Sequence, residues 1–356
     1  MRPSSEPRTP NSELRSSNFV LRTSNCELRT ANFGHRSPIV GLALLGLGVG
    51  VGGCADGNGE NRGAGVGGSA AITPAERVAP EFDADAAFAL LERQVAFGPR
   101  VPGTPGHAAQ LEWMTSYLRE RADTVLLQEF GHTGPSGEVL ELTNVWARFR
   151  PEVRERVLLV AHWDTRPTAD YETDEALRSR PIPGANDGAS GTAVLLQLAD
   201  VLSRHSSLIG VDLLLVDGED YAPDHMYLGA KYFAARKPPG YEPLYGILLD
   251  MVGDRDPRYP QEGYSRQYAP EVVERVWRMA ERLGYEAYFP RSPGISIMDD
   301  HVPLNEAGIH TINIIDFDYG PANAFWHTLE DDLQNVGPEG LGVVGAVVAE
   351  LIYRGG

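Results

Sequence analysis

Six residues spread over nearly half of the chain have the types and placement to do metal-assisted chemistry: His162, Asp187, Glu219, Asp220, Asp250 and His327. His162 stands in Val160-Ala-His-Trp-Asp164, at the end of an apolar, strand-like run. Glu219 and Asp220 stand in Val216-Asp-Gly-Glu-Asp-Tyr221, and Asp250 in Leu248-Leu-Asp-Met251, each an acidic turn after another such run. Asp187 lies in Pro183-Gly-Ala-Asn-Asp-Gly-Ala-Ser-Gly191, which opens a helix, and His327 in Phe325-Trp-His-Thr328. Open α/β sheets gather their chemistry outside the carboxyl ends of their strands, so these turns are expected to meet. Histidine nitrogen with carboxylate oxygen suits zinc. Glu219, beside the expected ligand Asp220, could take up and return one proton, because neighbouring side chains in a strand-end turn diverge.

Each residue alone has a plainer role. Asp187 could cap the helix that begins at Gly188, His327 could be a hydrogen-bonded core histidine, and Asp250 could form a turn. Glu219 could be a surface glutamate or a hydrogen-bond partner of a ligand. The convergence of five potential ligands on one sheet edge favours the metal. Trp163 and Trp326 adjoin expected ligands and are candidate pocket walls. Asp299, in Asp299-Asp-His301, could cap a helix or serve as an acidic partner of Glu219 or of a bound amine. No phosphate loop, dinucleotide-binding glycine pattern or nucleophile elbow is present.

The elements that must position these residues alternate. Apolar residues recur at helical spacing in Ala84–Val95 and Ala108–Leu118, and helices are expected over Gly188–Ser203, Tyr227–Ala235, Pro270–Leu283 and Pro338–Tyr353. Strands are expected over Val125–Phe130, Leu140–Phe149, Arg156–Trp163, Val211–Val216, Leu244–Met251 and Thr311–Ile315. Alternation of this kind predicts an α/β three-layer sandwich with a central mixed, mostly parallel sheet flanked by helices. The first two strands should be antiparallel, since no helix separates them.

The formal charge of −18 excludes a basic nucleic-acid-binding face and disfavours attraction to anionic lipid. The two cysteines, Cys26 and Cys54, lie ahead of the globular pattern, so thiolates cannot build a metal site in the folded part. Residues 1–35 carry a seven-residue repeat (Asn11, Asn18 and Asn25 each begin a copy) without an apolar seam. This stretch is expected to be disordered, or to be repetitive DNA translated ahead of the true start. Residues 36–54 join a positive flank to a short apolar, glycine-rich run ending at Cys54, the form of a bacterial lipoprotein signal with a lipidated Cys54. Residues 55–80 should be a flexible Gly-rich tether, and residues 81–356 a single catalytic domain. The implied location is extracytoplasmic, at a membrane.

The order His162, Asp187, Glu219-Asp220, Asp250, His327 resembles the zinc aminopeptidase superfamily. The glutaminyl-peptide cyclotransferase branch, in its Bacteroidetes-like form, is closer. It is similar in Phe97-Gly-Pro-Arg-Val-Pro-Gly-Thr-Pro-Gly106, Ala161-His-Trp-Asp-Thr-Arg-Pro167, Gly184-Ala-Asn-Asp-Gly-Ala-Ser-Gly191, Asp217-Gly-Glu-Asp-Tyr221, Asp299-Asp-His301 and Trp326-His-Thr328. The resemblance implies one zinc on Asp187, Asp220 and His327, Glu219 as acid and base, Asp299 as its hydrogen-bonding partner, and Trp326 in the glutamine pocket. His162 and Asp250, which hold a second metal in the aminopeptidases, would here hydrogen-bond the site instead. The substrate implied is a peptide or protein with N-terminal glutamine. Asp220 departs from the animal cyclases, which have glutamate there. A zinc aminopeptidase is the alternative enzyme, since all five ligand positions are filled. A binding lipoprotein with an inactive site is the alternative outside enzymes.

Overall fold

A computed structural model describes residues 78–354. The seven-residue repeat, the apolar run with Cys54 and the tether up to residue 77 lie outside the described residues. In chain order the elements are α1 (Ala84–Val95), α2 (Pro105–Arg119), β1 (Thr124–Thr133), β2 (Val139–Phe149), β3 (Arg156–His162), α3 (Ala189–Arg204), β4 (Gly210–Val216), β5 (Asp220–Ala222), β6 (His225–Met226), α4 (Leu228–Arg236), β7 (Gly246–Asp250), α5 (Gly263–Tyr268), α6 (Pro270–Arg282), α7 (His301–Glu306), β8 (Thr311–Ile315) and α8 (Pro338–Tyr353). Their starts follow local chemistry. Asp83 caps α1 by accepting from the Ala86 amide, Thr104 caps α2 from the His107 amide, and Pro105 and Pro338 occupy first-turn positions where no amide donor is needed.

Six strands form one sheet in the order β1-β2-β4-β3-β7-β8. β1 pairs with β2 and β2 with β4 antiparallel, whereas β4, β3, β7 and β8 run parallel. The parallel strands are buried throughout, Asp212 of β4 and Asn313 of β8 included, as strands covered on both faces are. Alternate side chains feed two cores. Val157, Leu159 and Ala161 of β3 join the larger core under α1, α3, α6 and α8, while Leu158 and Val160 pack toward α4 and α7. The sandwich and the antiparallel first pair are as the sequence implies. The hairpin β5–β6 and the six-residue helices α5 and α7 were not anticipated. Among the described residues, no helix is long and apolar enough to cross a membrane.

The registry matters for the site. His162 stands opposite Val216, and Asp250 opposite Ile315, so all four parallel strands end at one level. α3 packs closely on this edge: a Cβ at Gly191 would fall 2.0 Å from the Leu249 carbonyl oxygen, so only glycine fits there.

Candidate metal centre and reaction cleft

At that edge Asp187, Asp220 and His327 bring one ligand atom each within 4.8 Å of one another, all buried. His327 Nε2 lies 3.5 Å from Asp187 Oδ2 and 3.2 Å from Asp220 Oδ2. Zinc held at about 2.0–2.2 Å with tetrahedral angles separates its ligand atoms by about 3.3–3.6 Å, so this trio fits the ion. Asp220 Oδ2 supports the fit: it is buried and accepts no hydrogen bond, while Oδ1 of the same carboxylate is taken by Arg166. A second group, His162, Asp187 and Glu219, also lies within 4.8 Å. His162 Nε2 is 3.2 Å from Asp187 Oδ1 and 3.2 Å from Asp250 Oδ1, the latter a hydrogen bond. All five sequence-predicted ligand candidates therefore meet.

Asp187 does not cap α3. The cap position is Gly188, whose φ of 95° suits glycine and whose missing Cβ would strike the Asp164 carbonyl oxygen at 2.4 Å. Burial opposes ionisation of Asp187, but the close imidazoles of His162 and His327 outweigh it and hold the carboxyl well below its usual range. Despite burial, Asp220 and Asp187 raise His327 to about 9.

The turn after β4 is fastened from several sides. The Asp217 carboxylate accepts from the Thr143 amide at 2.7 Å and faces His107 Nε2 at 2.9 Å. Asp164 accepts from the backbone amides of Glu219, at 3.1 Å, and Asp220, at 3.3 Å. Gly218 adopts φ 73° between them. Asp220 then points to His327 and Arg166, while Glu219 lines the cleft with Oε2 3.9 Å from His162 Nδ1. Burial, reinforced by Asp220, Asp299 and Asp300, pushes the Glu219 carboxyl well above its ordinary range.

The cleft has a volume of about 360 Å³, and Glu219, Asp299, Phe317, Trp326 and His327 all line it. Trp326 stacks on His327 with ring centres 3.8 Å apart and meets Phe317 edge-on at 4.8 Å. Tyr227, Met251 and His327 line it in the left-handed backbone region, with φ of 60°, 48° and 55°. Such strain in non-glycine residues gathers where a site dictates side-chain aim.

Two expectations need correction. Trp163 is no pocket wall: it is fully buried in the larger core, stacks on His107 at 4.3 Å and donates its indole N–H to the Thr143 carbonyl. As the residue after His162 on an extended segment, it points to the opposite face. Asp299 neither caps α7 nor bonds Glu219. Its oxygens accept from Asn313 Nδ2 and the Asp300 amide, both at 2.6 Å, and it influences Glu219 through charge. Asp300 is buried without a hydrogen bond to its carboxyl, and burial raises it to about 8.

Sequence reasoning missed the supports. Arg166 reaches Asp220 while its other nitrogens hold Asp170 at 2.7 and 2.9 Å. Asp331 accepts from the amides of Asn186, at 2.7 Å, and Asp187, at 3.3 Å, fixing the helix entry. Arg166 lay in plain view inside Ala161-His-Trp-Asp-Thr-Arg-Pro167, whereas nothing local singles out Asp331.

The family model for peptidase family M28 matches residues 144–352, the span from β2 to α8 that carries every candidate ligand. The chain belongs to peptidase family M28. Among solved structures, the glutaminyl cyclase of Tannerella forsythia is 40% identical, with 77% of this chain and 99% of that one covered and a TM-score of 0.73. A Zn-dependent exopeptidase from Parabacteroides distasonis is 38% identical, with 78% and 99% covered and a TM-score of 0.75. The glutaminyl-peptide cyclotransferase of Bos taurus is 26% identical over 273 residues, 67% of this chain and 73% of its own length. The M28 family therefore contains both the cyclase and the peptidase that the sequence brought into view, and the α/β sandwich is common to them.

Proposed function

We propose that this protein is a zinc-dependent glutaminyl-peptide cyclotransferase, converting the N-terminal glutamine of peptides and proteins to pyroglutamate with release of ammonia. The observation that carries this reading is the convergence of Asp187, Asp220 and His327 beside Glu219, in a small cleft walled by Trp326 and Phe317. Relatives that are glutaminyl cyclases add to it.

Zinc bound by the trio supplies a Lewis acid for the γ-amide carbonyl of the glutamine. Glu219 faces the same space and takes a proton from the α-amine as that nitrogen attacks the γ-carbon. It returns the proton to the amide nitrogen, which leaves as ammonia. One C–N bond forms and one breaks, so no water is consumed. The raised proton affinity of Glu219 suits a group that must both accept and donate. Trp326 and Phe317 hold the short side chain folded toward its own amine, and a positioned intramolecular attack has a large entropic advantage. Asp299, held by Asn313, lines the cleft beside Glu219 and is placed to accept a hydrogen bond from the substrate's α-amine. Arg166 occupies Asp220 Oδ1 and leaves Oδ2 for the metal, which fixes the shorter side chain used here in place of glutamate. His162 and Asp250 hydrogen-bond each other and orient Asp187, so one zinc per chain is sufficient.

The second reading, a zinc aminopeptidase, has its own support: His162 Nε2 is also placed to share a second metal with Asp187 and Asp250. Offering the full-length protein Gln-peptides and leucyl substrates side by side separates the two. Ammonia from the former with little cleavage of the latter is expected; brisk leucyl hydrolysis favours the peptidase.

The apolar run ending at Cys54 supports an extracytoplasmic, lipid-anchored enzyme. Cys54→Ala is then expected to release or misprocess the protein. An unmodified peptide spanning Gly53–Cys54 in the mature protein, seen by mass spectrometry, would rule the anchor out.

A further inference from the structure

A second cleft, of about 930 Å³, adjoins the reaction cleft and is not used by the chemistry above. Phe317 lines both. The segment beside it contributes Ile295 to the larger cleft and Ile297 and Met298 to the smaller. This shared wall is fixed: Gln261 N–H donates to the Ser292 carbonyl at 3.0 Å, Gly294 N–H to the Gln261 carbonyl at 2.7 Å, and Ile297 N–H to Glu262 at 2.8 Å. A peptide whose first residue fills the smaller cleft has to send its second and third residues outward, and the larger cleft begins across one aromatic ring.

We propose that this larger cleft binds the residues following the N-terminal glutamine and selects basic side chains there. The inference rests on the cyclase reading and names its substrate class. Four carboxylates, Asp254, Asp256, Asp316 and Asp318, line the cleft against one cation, Arg258. Two of them are preorganised. Asp254 accepts from the Asp256 and Gly320 amides, at 3.0 and 3.2 Å, and Asp316 accepts from the Arg258 and Asp318 amides, at 2.7 and 3.2 Å. These bonds aim the loops so that Asp256 and Asp318 stand exposed at the mouth, where they can meet a Lys or Arg side chain. Pro260, Pro293 and Ile295 offer apolar surface for the stems of such side chains.

The test is a comparison of kcat/KM for Gln-Lys-Lys-Ala, Gln-Ala-Ala-Ala and Gln-Glu-Glu-Ala amides with the full-length enzyme. Exposed ion pairs of this kind are worth little singly, so the basic peptide is expected to exceed the acidic one by about five- to tenfold at low salt. The gap is expected to narrow at high salt, because exposed charges are screened. Combined Asp256→Asn and Asp318→Asn substitution should shrink the ratio of basic to acidic rates toward one. Turnover of all three peptides at equal rates would overturn the subsite while leaving the cyclase reading intact; no turnover of any would overturn both. A ratio that survives the double substitution would place the selectivity elsewhere and contradict the assignment.

Discussion

Glu219→Gln is expected to take up zinc as the native protein does and to lose turnover by about 10²–10⁴-fold, the usual worth of a positioned acid–base group. The substitution keeps the side chain's shape and removes only its ability to accept and return a proton. Glu219 stands outside the Asp187, Asp220 and His327 trio, in which its neighbour Asp220 supplies the carboxylate, and it lines the cleft beside His162 and Asp187. Its backbone is held independently by Asp164, so the turn should survive the change. The check is a pair of measurements on one preparation: zinc by elemental analysis and kcat on a Gln-peptide. A zinc-loaded variant that cyclises at near native rate would remove Glu219 from the mechanism.

His327→Ala should be more damaging, and in a different way. His327 Nε2 lies within 3.5 Å of ligand oxygens on both Asp187 and Asp220, so its loss opens the centre rather than weakening one support. Zinc binding and activity are expected to fall together, by more than the about 10–100-fold that loss of an outer hydrogen-bond partner costs. His162→Gln provides the contrast. If His162 only orients Asp187, that variant keeps one zinc per chain and its activity loss stays within the 10–100-fold band. Chelator competition and metal counts on the two variants decide this. A native enzyme holding two metals, reduced to one by His162→Gln, would move His162 among the ligands.

Much of this site is legible in the chain because strand ends announce themselves. Val157 to Ala161, Leu213 to Val216 and Ile247 to Leu249 are unbroken apolar runs, each followed by polar residues. A parallel sheet buried on both faces turns such boundaries into a single edge. The supporting residues are less visible, because their partners are distant: 145 residues separate Asp331 from the Asn186 amide it holds. Short elements escape as well, since six residues of α5 or α7 are too few to show a helical period. The two tryptophans divide on geometry. Trp163 continues an extended strand and must alternate away from His162, whereas Trp326 precedes a residue at φ 55°, which folds both rings onto the same side.

The central claim is that this centre closes glutamine onto itself rather than cutting the chain behind it, and the fate of one Gln-peptide tests it most directly. After incubation with the full-length zinc-loaded protein, mass spectrometry is expected to show a peptide of unchanged residue count that has lost one ammonia. A peptide shortened by one residue, with free glutamine in solution, would contradict the cyclase reading and identify a peptidase.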